Sequence, residues 1–224
     1  MARSPRETAA QLRRPHGPEA DAAATRMNRV NAATNHRAID ALGISARDRV
    51  LEIGPGNGHF VESLIDRAPG VSYVGLDWSE EMVTAARRGN ARLVESGVAE
   101  FRVGTSSRIP VGEGTIDKAL AIHTIYFWDD PRSHLAELRR VLKPDGILCL
   151  GFGDRRFMER LPFTAHGFRL YDRDTAVEQL EAVGFRIERS VEHLERGESN
   201  TGAIVEKLVH LLVCTPDPSV GDPP

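Results

Sequence analysis

The stretch Val50-Leu51-Glu52-Ile53-Gly54-Pro55-Gly56-Asn57-Gly58-His59-Phe60 constrains the fold of this chain more than any other. An aliphatic run stops at Gly54, Gly56 and Gly58, and an apolar pattern follows. Glycines are needed where a strand turns sharply into a helix and the backbone must approach a ligand with no Cβ in the way. The stretch predicts a nucleotide-type loop at the carboxyl end of a first parallel strand.

The flanking sequence supplies the layers. Residues 1–18, rich in Arg, Pro and Ala, read as a mobile arm unless a partner or ligand pins them. Residues 19–43 read as a helix ended by Gly43. Its polar set Asn28, Asn31, Asn35 and His36 fits either an exposed face or a lid over a site. Within the domain at 44–214, strands at 49–53, 72–76, 100–103, 117–122 and 147–152 alternate with helices near 58–67, 79–96 and 130–142. Residues 153–171 form an irregular, aromatic-rich insertion on the substrate side. It carries Phe157, Met158, Phe163, His166, Phe168 and Tyr171. A helix at 174–183 follows, then extended runs at 185–194 and 203–214 that close as an antiparallel hairpin. Residues 215–224 read as a disordered tail. The expected fold class is α/β: a doubly wound, mostly parallel seven-stranded sheet with a carboxyl-terminal antiparallel hairpin and an amino-terminal helical lid.

Composition narrows the function classes. At 224 residues the chain is one domain of generous size. A net charge of -3 argues against a nucleic-acid partner, which demands a basic stripe. No apolar run reaches the roughly 18 residues of a membrane span, and the amino terminus lacks the apolar core of a signal peptide, so a cytoplasmic protein is expected. Cys149 and Cys214 read as buried hydrophobes rather than a disulfide. His59, His134, His193 and His210 show no chelating spacing, so no metal is expected.

The glycine spacing then selects the nucleotide. A dinucleotide loop wants G-x-G-x-x-G, whereas the late glycine position here is His59; a P-loop would need Gly-Lys-Ser/Thr, which is absent. Asp77 ends the second strand about 20 residues on, where a ribose-binding acid belongs. The E-x-G-x-G-x-G form with Asp77-Trp78 resembles motif I and its partner acid in class I S-adenosylmethionine-dependent methyltransferases. The resemblance covers roughly residues 45–214. Lys143-Pro144-Asp145-Gly146-Ile147-Leu148 is similar to that family's turn before strand five. Ile122-His123-Thr124-Ile125-Tyr126-Phe127-Trp128-Asp129-Asp130-Pro131 resembles the motif after strand four of small-molecule members. Gly104-Thr105-Ser106 departs from the family's Gly-Asp, replacing an adenine-facing acid with hydroxyls.

The resemblance implies a Rossmann-like methyltransferase fold and S-adenosylmethionine as cofactor. It puts Glu52 at the methionine end, or else capping loop amides, with Gly54, Gly56 and Gly58 as floor. Asp77 takes the ribose, while Trp78 flanks adenine or is an exposed aromatic without a role. Met82, Thr105, Ser106, Ile122 and His123 complete the implied cofactor set. Methyl transfer from a sulfonium gains most of its rate from positioning, and a base is needed only if the acceptor carries a proton. His123 is the leading candidate for base or substrate contact, the alternative being a hydrogen-bonded structural residue. His166 and Tyr171 are further catalytic candidates. Tyr126, Phe127 and Trp128 form either a π-rich wall for a cation or helix-entry packing. The expected activity is methyl transfer to a small, largely apolar or aromatic acceptor, in a monomer or homodimer with no nucleic-acid or membrane partner. Two alternatives stay open: a step other than methyl transfer, such as cyclisation, and a non-catalytic cofactor-binding subunit.

Overall fold

A computed structural model describes residues 3–220. Seven strands form one sheet in the order β3-β2-β1-β4-β5-β7-β6. They are β1 (Arg49–Ile53), β2 (Ser72–Asp77), β3 (Ala99–Val103), β4 (Ile116–Ile122), β5 (Leu142–Gly153), β6 (Phe185–Glu198) and β7 (Ile204–Pro216). The first five are mutually parallel, and β7 runs antiparallel between β5 and β6. The helices are α1 (Pro5–Arg13), α2 (Ala20–Leu42), α3 (Val61–Ile65), α4 (Glu80–Gly89), α5 (Ala91–Glu95), α6 (Pro131–Val141), α7 (Arg155–Met158) and α8 (Arg173–Glu181). The doubly wound, mostly parallel sheet and its closing hairpin are as the sequence predicts. Among the described residues no helix is long and apolar enough to cross a membrane.

Side-chain alternation explains why the sheet is covered on both faces. Leu51, Ile53, Val74, Leu76, Ala119, Ala121, Leu148 and Leu150 belong to one buried cluster. Their neighbours Val50, Tyr73, Leu120, Ile122, Cys149 and Val213 belong to another. Successive residues of a strand point to opposite faces, so a strand buried on both sides reads as a continuous apolar run. The carboxyl half of α2 packs through Ala38, Ile39 and Leu42 on the second face. Cys149 and Cys214 are both free and buried.

Three expectations need correction. Residues 5–13 are a helix, not an arm without structure. Ser4 caps it, its hydroxyl accepting from the Glu7 N–H while the Glu7 carboxylate accepts from the Ser4 N–H, and Pro5 starts the helix. The helix expected over 79–96 is two, because Asn90 turns its side-chain amide back to the Ala86 and Gly58 carbonyls. The supposed tail contributes Thr215 and Pro216 to β7, and the Asp217 N–H donates to the Gly184 carbonyl; residues 221–224 lie outside the described residues. The insertion at 153–171 contains α7 and a 3-10 turn, Pro162–Ala165, on which α1 packs.

Candidate active site

The order of the sheet changes direction between β1 and β4, and the carboxyl ends of those strands open a cleft of about 400 Å³, within the range of small-molecule sites. The glycine loop is its floor. Gly54 holds φ 73°, and a Cβ there would come within 2.6 Å of Thr124 Cγ2. Gly56 holds φ 57°, and a Cβ would enter open space. Gly58 serves packing instead: it does not line the cleft, and a Cβ would meet Asn90 Nδ2 at 2.7 Å.

Two buried acids line this cleft, beside the exposed Asp129. Asp77, 7% exposed, accepts from the Gly56 N–H at 3.0 Å and from the Ser79 N–H at 2.9 Å. Burial pushes its pKa up to about 6 against the pull of these amides. Glu52, 5% exposed, accepts from the Tyr73 hydroxyl at 2.6 Å rather than capping loop amides, and burial raises its pKa to about 7. Thr124 Oγ1 is buried without a hydrogen-bond partner among the described residues. Two desolvated carboxylates, an orphaned hydroxyl and an open glycine edge fit a cationic ligand that also carries hydroxyls.

Gly104, Thr105, Ser106 and Ser107 line the far end, where Ser106 Oγ lies 2.7 Å from His134 Nδ1. His134 Nε2 lies 3.1 Å from Asp129 Oδ1, and the Trp128 ring stacks on the imidazole at 5.1 Å. The Asp129 carboxyl, bonded to His134, is held below its ordinary pKa. His134 escaped the sequence reading, which weighed it only as a metal ligand. Its signal was the Asp130-Pro131 helix start, which puts the fifth residue of the segment Asp130–His134 on the first turn facing the sheet.

The roof comes from the amino terminus. The Trp78 Nε1–H donates to the Arg13 carbonyl at 2.9 Å, and the Ser79 hydroxyl donates to the Pro15 carbonyl at 2.7 Å. The Arg13 guanidinium lies 5.2 Å from the centre of the Trp78 ring. Asn28, Asn31 and Asn35 of α2 face the cleft, and Asn28 donates to Asn57 of the glycine loop at 2.9 Å. Three of the four polar residues on that helix are therefore a lining, whereas His36 is exposed beside Phe60.

Behind the cleft lies a smaller chamber of about 70 Å³. Its walls are mainly apolar, with Phe157, Met158, Leu161, Phe163 and Phe168 from the insertion, and carry the polar Lys207, Ser199 and Asn200 from the hairpin. His123 and Phe127 line both chambers, whereas Tyr126 and Trp128 are buried, each facing one. Burial, and next the Lys207 cation, lower the His123 pKa to about 4.

The structure thus brings Glu52, Gly54, Gly56, Asp77, Trp78, Thr105, Ser106, Ile122 and His123 together around one cleft. It leaves four candidates out: Gly58, which packs beneath the loop, and three more. His166 is exposed and lines neither chamber, because the Pro162–Ala165 turn carries it outward. Tyr171 is a core residue packed on Phe152, its backbone bridging to Asp154. Met82 is buried against Ala20 and Ala24, under the start of α2.

Residues 51–150 match the family described as Methyltransferase domain. The uncharacterized methyltransferase YdaC of Bacillus subtilis (strain 168) is 30% identical over 116 residues, 52% of this chain and 62% of that protein. Demethylmenaquinone methyltransferase of Deinococcus radiodurans is 34% identical over 114 residues, 50% of this chain and 46% of that protein. The matched stretch thus spans less than two thirds of either relative. Among solved structures, a chain of the Haloferax volcanii complex between the Trm112 methyltransferase activator and a methyltransferase superposes with a TM-score of 0.75 at 18% identity, covering 94% of this chain and 98% of that one. Geranyl diphosphate methyltransferase in complex with SAM gives 0.69 at 15% identity, covering 92% and 94%. The glycine loop, the acid after β2, the sheet order and the matched segment agree: residues 51–150 are similar to the methyltransferase-domain family, and the chain has the Rossmann-like methyltransferase fold.

Proposed function

We propose that the chain transfers a methyl group from S-adenosylmethionine to a small, largely apolar or aromatic acceptor by in-line displacement. One observation carries this reading: an acidic, hydroxyl-lined cleft and an apolar chamber share a wall at His123 and Phe127. S-adenosylmethionine, when bound, supplies a methyl group already activated on a positively charged sulfur. Asp77 holds the ribose hydroxyls with the lone pairs that Gly56 and Ser79 leave open. Glu52 neutralises the ammonium group of the methionine end. Gly54 and Gly56 let the backbone approach, and Thr105, Ser106 and Trp78 surround the base. Phe127, on the shared wall, would put an aromatic ring beside the cation. The insertion and Phe127 hold the acceptor's apolar body, and α1 with the first half of α2 keeps water out. Orienting the two reactants in adjoining chambers is worth an effective molarity of about 10⁵ to 10⁸ M.

The test feeds isotopically labelled methyl donor and fractionated extract to the purified chain. Mass spectrometry then looks for one labelled methyl on an acceptor and an equal amount of S-adenosylhomocysteine. Tight cofactor binding with no such product in any fraction would favour the alternatives of a step other than methyl transfer or a cofactor-binding subunit.

A further inference from the structure

His123 borders both chambers, and its neighbours fix which ring nitrogen carries the proton. Tyr126 is 3% exposed, and its phenolic oxygen accepts from the Gly153 N–H. The phenol's own proton therefore needs an acceptor, and among the described residues its one other partner is His123 Nδ1, 3.1 Å away. A neutral imidazole that accepts at Nδ1 carries its hydrogen on Nε2. A charged ring would set a second donor against the phenol and strand the phenol proton in the interior. The low pKa of the ring, from burial and the nearby Lys207 cation, agrees with neutrality. Nε2 makes no hydrogen bond among the described residues.

The backbone supports a purpose for this placement. His123 holds φ 57°, and its N–H donates to the Gly151 carbonyl at 2.8 Å. A left-handed conformation is disfavoured for a residue with a Cβ, and such strain gathers at functional sites. Here it turns the first side chain after β4 into the space between the chambers.

We infer that His123 is a hydrogen-bond donor toward the acceptor, not its base, and that the acceptors of this chain present an already ionised oxygen, as a phenolate, enolate or carboxylate does. This rests on the methyl-transfer reading. A neutral hydroxyl would have to lose a proton, and Nδ1, the basic nitrogen of the ring, is taken up by Tyr126. An oxyanion needs no base. It forms the new oxygen–carbon bond as the methyl carbon's bond to sulfur breaks, with that electron pair staying on sulfur. The negative charge of the oxygen and the positive charge of the sulfonium cancel, and no proton is left over. The Nε2–H stabilises the ionised oxygen over its protonated form, and Lys207 on the same chamber wall adds a favourable field. Phe157, Met158, Leu161 and Phe163 take the apolar remainder.

The tautomer is read by nitrogen NMR on the unliganded chain with ¹⁵N-labelled histidine at neutral pH, His123 being assigned by its loss in His123→Asn. The expected spectrum has a bare Nδ1 and a protonated Nε2, and Tyr126→Phe lets the two tautomers average. A protonated Nδ1, alone or in a charged ring, overturns the inference. These shifts do not depend on methyl transfer, so they fail separately from the activity. The acceptor class is read with 4-nitrophenol, whose phenolate is coloured, in the presence of S-adenosylhomocysteine. It should bind as the phenolate, about tenfold more weakly in His123→Ala. His123→Asn, which tolerates the left-handed backbone and keeps an N–H donor without a titrating group, should retain most of the binding. Binding as the neutral phenol, no binding, or undiminished binding by His123→Ala overturns it.

Discussion

Glu52 and Asp77 are both buried, Glu52 feels the Asp77 charge, and both pKa values stand above the ordinary carboxylate range in the unliganded chain. The folded state thus binds protons more tightly than the unfolded one. The stability this contributes is fully present below the unfolded pKa values and is lost as pH rises through about 6 and then 7. Melting temperature of the free chain should fall by several degrees between about pH 5 and 8, and Glu52→Gln should flatten that slope; a free chain that stabilises over this window contradicts the assignment. A cationic cofactor favours the ionised forms, so its affinity should rise over the same window with release of protons. Calorimetry in two buffers of different ionisation enthalpy detects this, and proton uptake would be the wrong sign. Asp77→Ala should weaken cofactor binding at least about tenfold, or about 1.4 kcal/mol. Asp77 and the glycine loop were legible in sequence because backbone chemistry dictates both: a turn with positive φ and an acid at a strand end. The tautomer of His123 was not, since it depends on Tyr126 and on Gly153, which lies on another strand.

At the scale of elements, α1 ties the cofactor cleft to the insertion: the Arg13 carbonyl at its end accepts from Trp78, the Pro15 carbonyl just beyond it accepts from Ser79, and its body packs on the Pro162–Ala165 turn. Composition hid this helix behind arginine and proline. The pattern Ser4-Pro5-Arg6-Glu7, a capping box with proline at the first position, was the available signal. Ser4→Ala should cost α1 about 1 kcal/mol. The expected readouts are faster proteolysis within residues 3–16 and faster dissociation of bound cofactor, with the melting temperature of the free chain nearly unchanged. The β6–β7 hairpin lies along α2 through the Arg29–Glu198 pair, the Arg37–Glu195 pair at 3.2 Å and the Arg189 bond to the Ala41 carbonyl. Partly exposed pairs are worth at most about 1 kcal/mol, so Arg37→Ala should shift the melting temperature by no more than about 2–4 °C.

For the molecule as a whole, stability rests on the parallel centre of the sheet. Leu120, fully buried between Glu52 of β1 and Cys149 of β5, should cost about 2–5 kcal/mol as Leu120→Ala in chemical denaturation. That centre was legible, since strands covered on both faces are continuous apolar runs such as Ile147–Phe152. The acceptor chamber was not, because Leu12, Met27, Phe157 and Asn200 come from four segments distant in sequence. The two chambers are therefore built by different means: the cofactor cleft mainly by loops that leave a rigid sheet, the acceptor chamber largely by a strap, an insertion and a hairpin tip hung around it. The tip at 199–203 closes on itself through the Ser199 N–H and the Ala203 carbonyl, outside both strands and away from the donor site. On the proposed reading, substrate preference is, for selection as for a protein engineer, a replaceable part.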